Sequence, residues 1–345
     1  MKIVTVLGTR PEIIRLSKVI KSLDKLVEHK LYWTGQNRDP SLSDQFFKEF
    51  GIRAPDINQR ISGSFADQVA DMFPIFENFL INERPDKVLI LGDTNSSMLA
   101  IVAARLGVPV FHVEAGNRTY GPRYAEEINR RVIDHVSDVH MCYNERSRMN
   151  LLREGIPIER TFVVGNPVHE LIAEHKPRRS SAEPYVLVTI HRQENVDGEC
   201  RLKELACLLE GIAKDFNIVS CLHPRTIDKV SKFGIEWPGE NRGAIGWRDF
   251  VNLLYNSTAV ITDSGTVQEE ASFIGVPCIV ARHAQERHTE VEDGGVIIDE
   301  SPDIDTVTRA ISLPLPARPM MITNSPSSSI ISILLSSHYP MLKIG

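Results

Sequence analysis

The stretch "IVTVLGTRPEIIRL", Ile3–Leu16, decides the fold. A run of apolar and β-branched residues ends at Gly8, and Pro11 follows within the first helical turn, where its missing N–H would be an orphan in any case. A strand that passes at once into a helix is half of a βα unit. Working outward, the grammar recurs: "KVLIL" precedes a stretch from Asn95, "VPVFHV" one from Tyr124, and "DVHMCY" one from Glu145. The segment "EHKPRRSSAEP", Glu174–Pro184, has the prolines, serines and basic residues of an exposed linker. Beyond it the rhythm resumes with "YVLVTI", a helix around Leu202–Ala213, "FNIVSCL", a helix around Ile227–Phe233, "AVIT", a helix from Ser264, "VPCIVA", "GVIID" and a helix around Ile304–Ile311. The expected class is α/β, with two Rossmann-like lobes facing a cleft, spanning residues 1–173 and 184–312, and a tail, 313–345, packing across both. A chain of 345 residues suits two domains at about 150 residues each. Ligands of open α/β sheets bind beyond the carboxyl ends of the strands, so those ends hold the candidate chemistry.

Composition removes several classes. With 42% hydrophobic and 24% charged residues and no run of about 18 apolar residues, the chain reads as globular and not membrane-spanning. Its amino terminus reaches Gly8 too soon for a signal-peptide core, which makes the cytoplasm the expected location. A net charge of −6 exerts no general pull on nucleic acid, so an anionic ligand must be held locally. The five cysteines form no CxxC pair and are an odd number, against a disulfide framework or structural zinc. Neither GxGxxG nor a P-loop occurs, which disfavours a dinucleotide oxidoreductase or P-loop enzyme.

Four strand ends stand out. Arg10 sits at the mouth of a helix N-terminus, which makes either a phosphate site or an ordinary arginine at a turn. In "VITDSGTVQEEASFIGVP", Asp263, Ser264 and Gly265 lie between strand and helix. Ser264 and the following amides fit a diphosphate, and Glu269 or Glu270 fits ribose hydroxyls, unless these acids only complement the helix dipole. Asp93 in "LILGDTNSS" and Glu114 in "VPVFHVEAGNR" end two strands read as neighbours; two converging carboxylates push their pKa values apart, giving one site an acid and a base. Asp93 alone would serve as a helix cap. If Ala125–Asp138 is a helix, Ile128, Val132 and Val136 form its core stripe, and Glu126 and Arg130 share nearly the opposite face, as a site wall or as an exposed ion pair. His191 and His223 also follow strands and lack the spacing of metal ligands, which favours a phosphate environment; no metal is expected. Arg282, Arg287 and His288 in "ARHAQERH" add positive charge there or form a basic loop.

Taken together, "GTRPEII", "TGQN", "GDTN", "HVEAGNR", "EEINRR", "VVGNPV", "HRQEN", "HPRT", "TDSGTVQEEA" and "QER" are similar in order and spacing to the non-hydrolysing UDP-N-acetylglucosamine 2-epimerase family, over about residues 1–312. The resemblance implies a glycosyltransferase-B-like fold and exchange of configuration at C2 of a UDP-linked 2-acetamido sugar. It implies a catalytic set of Asp93, Glu114, Glu126 and His223. It also implies substrate binding by Arg10, Arg15, Arg130, His191, Ser264, Gly265, Glu270 and Arg287, with Glu270 on the ribose. No cofactor, nucleic acid or membrane is implied; a homodimer is.

Asn117, Asn95 and Thr266 replace the main branch's leucine, threonine and glycine. That pattern is similar to the branch making UDP-N-acetyl-L-fucosamine from its C2 epimer. Asn37 replaces a histidine, which implies loss of an allosteric UDP-sugar site; Ala125 and "ERHTE" also depart. Competing readings on the same fold are a UDP-sugar glycosyltransferase, a hydrolysing epimerase and a non-catalytic nucleotide-sugar sensor. Retention of three carboxylates favours catalysis over sensing.

Overall fold

A computed structural model of the chain describes residues 1–36, 40–120, 124–178, 183–281, 296–298, 302–312 and 324–336. They fall into two units, Met1–Leu171 with Ile322–Gly345, and Ile172–Met321. The first is built on seven strands: β1 (Lys2–Leu7), β2 (Glu28–Trp33), β3 (Ile57–Asn58), β4 (Lys87–Leu91), β5 (Val110–Val113), β6 (Val139–Cys142) and β7 (Thr161–Val163). All pair in parallel, in the order β3-β2-β1-β4-β5-β6-β7. The strands are apolar on both faces because both faces are covered. Val4, Val6, Val88 and Ile90 pack into one core with Met72, Phe76 and Ile133, while Ile3, Leu7, Leu89 and Phe111 are equally buried.

Helices connect these strands. Between α1 (Arg10–Leu26) and β4 the chain inserts β2, α2 (Pro40–Glu49), β3 and α3 (Phe65–Glu83), which the apolar rhythm did not announce. β2, "EHKLYW", begins with charged residues, and α3 contains Pro74, which interrupts a helical pattern on paper but is exposed in the fold. A 3₁₀ turn (Asn95–Leu99) leads into α4 (Ala100–Arg105), followed by α5 (Ala125–Val136), α6 (Glu145–Arg153) and α7 (Pro167–His175). The division between units falls inside α7, just before the Pro- and Ser-rich stretch.

The second unit has β8 (Tyr185–Thr189), β9 (Asn217–Ser220), β10 (Glu240–Asn241), β11 (Ala259–Thr262), β12 (Cys278–Val280) and β13 (Val296–Ile298). Their parallel order, β10-β9-β8-β11-β12-β13, repeats that of the first six strands of the other sheet. This is the doubly wound order, in which winding reverses beside the first strand and opens a ligand site there. Its helices include α8 (Gln193–Val196), α9 (Glu199–Ile212), α10 (Pro224–Lys232), α11 (Trp247–Asn256) and α12 (Gly265–Ile274), and the helix Ile304–Ser312. Leu202, Leu205, Leu209 and Ile212, at helical spacing on α9, pack against Val186, Val188 and Ile261.

The helix Pro326–Leu335 returns to the first unit and packs on α1. Glu170 accepts from Ser325 Oγ (2.7 Å) and the Ser327 amide (3.1 Å) at its amino end. At its carboxyl end Lys87 Nζ donates to the carbonyls of Leu334 (2.5 Å) and Ser336 (3.2 Å). An anion at one end and a cation at the other both favour the helix dipole. Among the described residues no helix is long and apolar enough to cross a membrane.

Candidate active site

The first sheet sets the carboxyl ends of β1, β4 and β5 side by side, and the turns leaving them carry Arg10, Asp93 and Glu114. Gly8 permits this approach: a Cβ there would lie 1.8 Å from Ser96 Oγ and 2.7 Å from Thr34 Oγ1. Arg10 lies over the ring of Phe46, 5.6 Å from its centroid, and burial lowers its pKa. At the β4 end, a Cβ on Gly92 would stand 3.8 Å from Glu114 Oε2, so this turn reaches the neighbouring carboxylate.

Glu114 is only 3% exposed and adopts a left-handed φ of +69°, rare for a side chain of its size and a form of strain associated with functional sites. Its Oε2 accepts from Arg15 Nη1 and from Tyr143 OH (3.3 Å), and Asn117 Nδ2 is 3.5 Å from Oε1. The Arg15 guanidinium also lies over the Tyr143 ring, at 5.7 Å. Asp93, partly exposed, accepts from Arg130 Nη2, and Arg130 is fully buried. Thr94, not Asp93, occupies the N-cap position of the 3₁₀ turn that follows.

Here α5 departs from its expected form. It ends at Val136 rather than Asp138, and Ile128, assigned to the core stripe, is 52% exposed. The buried face instead carries Glu127, Asn129, Arg130, Ile133 and Asp134, with Val132 and Val136 at its margin. Arg130 is therefore not an exposed residue: it is fully buried and bonds Asp93 on another element. Glu126 lies one turn before Arg130 and is partly exposed.

Sequence reasoning missed Glu12. It is buried, accepts from the amides of Gly8 and Thr9 (2.9 Å for Thr9), and receives Thr94 Oγ1 at 2.8 Å. Burial, reinforced by the charge of Glu114, raises its carboxyl to about 7 against these hydrogen bonds. The signal was present, since Thr9 and Glu12 have the capping-box spacing.

In the second unit the adjacent strands β9, β8 and β11 end at His223, His191 and Asp263–Ser264. Asp263 is fully buried and accepts from the amides of His191 (3.0 Å) and Arg192 (2.8 Å) and from Asn195 Nδ2 (3.0 Å). Burial opposes its charge, yet His191 and these donors hold its pKa at about 2. The His191 and His223 rings lie 6.4 Å apart. His223 caps α10, with Nδ1 accepting from the Arg225 amide at 3.2 Å, so the neutral ring carries its proton on Nε2.

Ser264 occupies the N-cap of α12, but its hydroxyl makes no capping bond; its amide donates to Thr262 Oγ1 at 3.0 Å. The leading amides of α12 thus form a donor-rich end suited to an anion. Gly265 is buried at the first turn, and buried Glu270 accepts from Trp247 Nε1 at 2.8 Å. Arg282, Arg287 and His288, together with Asn37, lie outside the described residues. Among those described, no group of three or more His, Cys, Asp or Glu is placed to hold a metal ion.

Two doubly wound parallel sheets, each with polar groups at its central strand ends, define a two-unit α/β protein of the glycosyltransferase-B-like class. The family profile described as UDP-N-acetylglucosamine 2-epimerase matches residues 21–326. A curated relative of that name from Methanococcus maripaludis is 36% identical over 309 residues, 83% of this chain and 84% of the relative. The UDP-2,3-diacetamido-2,3-dideoxy-D-glucuronate 2-epimerase of Pseudomonas aeruginosa is 34% identical over 299 residues, again 83% and 84%. The crystal structure of Methanocaldococcus jannaschii UDP-GlcNAc 2-epimerase in complex with UDP-GlcNAc and UDP matches with a TM-score of 0.86 and 33% identity, over 97% of this chain and 99% of that one. The chain belongs to the UDP-N-acetylglucosamine 2-epimerase family.

Proposed function

We propose that the chain inverts C2 of a UDP-linked 2-acetamido sugar by eliminating UDP and adding it back, without net hydrolysis. The observation that carries this reading is the pair of guanidinium-held carboxylates, Glu114 with Arg15 and Asp93 with Arg130, on neighbouring strand ends in a chain of this family. The C2 proton is not α to a carbonyl carbon, so direct removal is unfavourable. In the proposed route a base takes that proton, C1=C2 forms, and the C1–O bond breaks with its electron pair leaving on UDP. The glycal then accepts a proton at C2 on the opposite face while a UDP oxygen re-forms the bond to C1. Proton-transfer groups are needed on both faces, a task assigned to Asp93, Glu114 and Glu126.

The diphosphate leaves with added negative charge. Arg10, Ser264, Gly265 and the following amides, and His191 and His223, are assigned to stabilise it, with Glu270 on the ribose and Arg15, Arg130 and Arg287 completing the binding set. Of the positions that depart from the main branch, Asn117 contacts Glu114, and Asn95 Oδ1 accepts at 3.2 Å from Asn129 Nδ2, which also donates to the Asp93 carbonyl; both support a sugar other than N-acetylglucosamine as the preferred substrate.

The test is C2 exchange in deuterated water, supplying UDP-N-acetylglucosamine, UDP-2-acetamido-2,6-dideoxy-L-talose and UDP-2,3-diacetamido-2,3-dideoxy-D-glucuronate in turn. Deuterium at C2 of recovered sugar nucleotide is expected from at least one. UDP binding without label from any of the three rejects the reading.

The partner proposed is a second copy. The family resemblance implies a homodimer, and Phe65, Ile75 and Ile81 on α3 and Ile128 on α5 are each about half exposed. Sedimentation should give twice the mass of one chain, and Ile81→Glu should shift it towards the monomer; a wild-type monomer at micromolar concentration removes the dimer. Cytoplasmic residence is proposed on the five free cysteines, of which Cys200 and Cys207 are exposed.

A further inference from the structure

Behind the two carboxylates lies a buried polar network that the proposed reaction does not itself consume. His112, fully buried on β5, points Nδ1 at Asp134 Oδ1 and Nε2 at the carbonyl oxygen of Gly92, each at 2.8 Å. The Gly92 carbonyl can only accept, so Nε2 is the donor to it. Asp134 Oδ2 accepts from the Gly116 amide (3.2 Å) and Arg118 Nη1 (2.7 Å). Arg118 goes on to Glu154, at 2.8 and 2.6 Å, and to the Asn117 carbonyl at 2.8 Å. His140 Nε2 meets the Asp134 carbonyl at 2.6 Å. Arg118 thus bridges two carboxylates, buried Asp134 and partly exposed Glu154.

These links end on the turns that carry the candidate proton-transfer groups. Gly92 directly precedes Asp93, and the Asp93 carbonyl accepts from Asn129 Nδ2 at 3.0 Å. Gly116 and Asn117 directly follow the segment that begins at Glu114, where the backbone is left-handed. Asn129, Arg130 and Asp134 all stand on the buried face of α5. That one face therefore reaches the Asp93 turn at its carbonyl and its carboxylate, reaches the Glu114 turn at Gly116, and reaches the Gly92 carbonyl through His112 of β5, which Asp134 holds. Apolar side chains of similar volume often replace buried ionic clusters without loss of stability, so folding alone does not call for this network. Geometry does, because proton transfer is sensitive to ångström displacements of its groups.

We propose that His112 and Asn129 are positioning residues, which hold the successive carbonyls of Gly92 and Asp93 and thereby fix the Asp93 carboxylate relative to that of Glu114. The proposal rests on the epimerase reading for its catalytic consequence and not for the geometry.

Two substitutions separate positioning from mere packing. His112→Gln places an amide where Nε2 stands and keeps a donor for the Gly92 carbonyl; His112→Asn places it where Nδ1 stands, keeps Asp134 and abandons Gly92. His112→Asn should lower kcat for C2 exchange about 100-fold with KM nearly unchanged, whereas His112→Gln should stay within about tenfold of wild type. Equal turnover by the two variants, or a parallel loss of UDP affinity, overturns the proposal. Should His112→Asn fail to fold, Asn129→Ala carries the same test at the Asp93 carbonyl: kcat should fall about tenfold at constant KM, and undiminished turnover overturns it.

Amide hydrogen exchange over residues 92–97 gives a readout that needs no activity. It should be faster in His112→Asn than in His112→Gln; for a pair that folds, identical rates overturn the proposal. If that difference holds while wild-type protein exchanges no C2 proton, the epimerase reading fails and the positioning stands.

Discussion

The β1–β4 end of the first sheet and the β8–β11 end of the second occupy the same place in the same strand order, yet their chemistry differs. In the first, carboxylates are gathered under guanidinium groups: Glu114 with Arg15, Asp93 with Arg130, and Glu12 close enough to Glu114 to feel its charge. In the second, the carboxylate that directly follows the strand, Asp263, is occupied by the backbone of the neighbouring turn, and the strand ends are otherwise donor-rich: two histidines and the start of α12. Topology sets where a site forms, and side chains set whether it moves protons or holds an anion.

The largest expected effect tests the proton-moving half of that contrast. Glu114→Gln should lower C2 exchange by about 10²–10⁴-fold while leaving UDP affinity within a few fold. Ser264→Ala should do the reverse in smaller measure, weakening UDP binding by about tenfold through one lost hydrogen bond to a charged group, with kcat largely kept. If Glu114→Gln turns over normally, or if Ser264→Ala loses kcat alone, the division of labour between the two strand ends is wrong.

The smallest effect is on pH-dependent stability, where the two buried carboxyls should have opposite signs. Glu12 titrates at about 7 in the folded chain against an ordinary 4.5. Over that interval the folded form keeps a proton the unfolded form has lost, so its contribution to stability falls as pH rises. Asp263 titrates at about 2 against an ordinary 3.8, so its contribution is present above pH 3.8 and lost as pH falls towards 2. In melting-temperature profiles, Glu12→Gln should flatten the first slope and Asp263→Asn the second. Slopes unchanged by the substitutions would remove both assignments.

Much of the fold was legible from the strand-to-helix junctions. The runs at Ile3, Lys87, Tyr185 and Ala259 each became a parallel strand, because a strand covered on both faces reads as an unbroken apolar run. β2 and α3 were not legible, since charged residues and Pro74 mask local pattern where tertiary packing supplies the stability. In the site, Asp93 and Glu114 were legible as strand-end residues. Glu12 was not legible as a site residue, because its burial and its bond from Thr94 come from tertiary packing. α5 was misread because periodicity ranks faces by hydrophobicity, and here the buried face is the polar one.

The sequence alone determined the alternation of strands and helices, the residue types at each strand end and the family, because these depend on local pattern and on the order of motifs. Only the tertiary structure decided which charges meet: that Arg130 belongs to Asp93 and Arg15 to Glu114, and that His112 spans from Asp134 to Gly92. Such pairings join residues far apart in the chain, and burial makes them favourable only when donor, acceptor and counter-charge arrive together, which no window of sequence can specify.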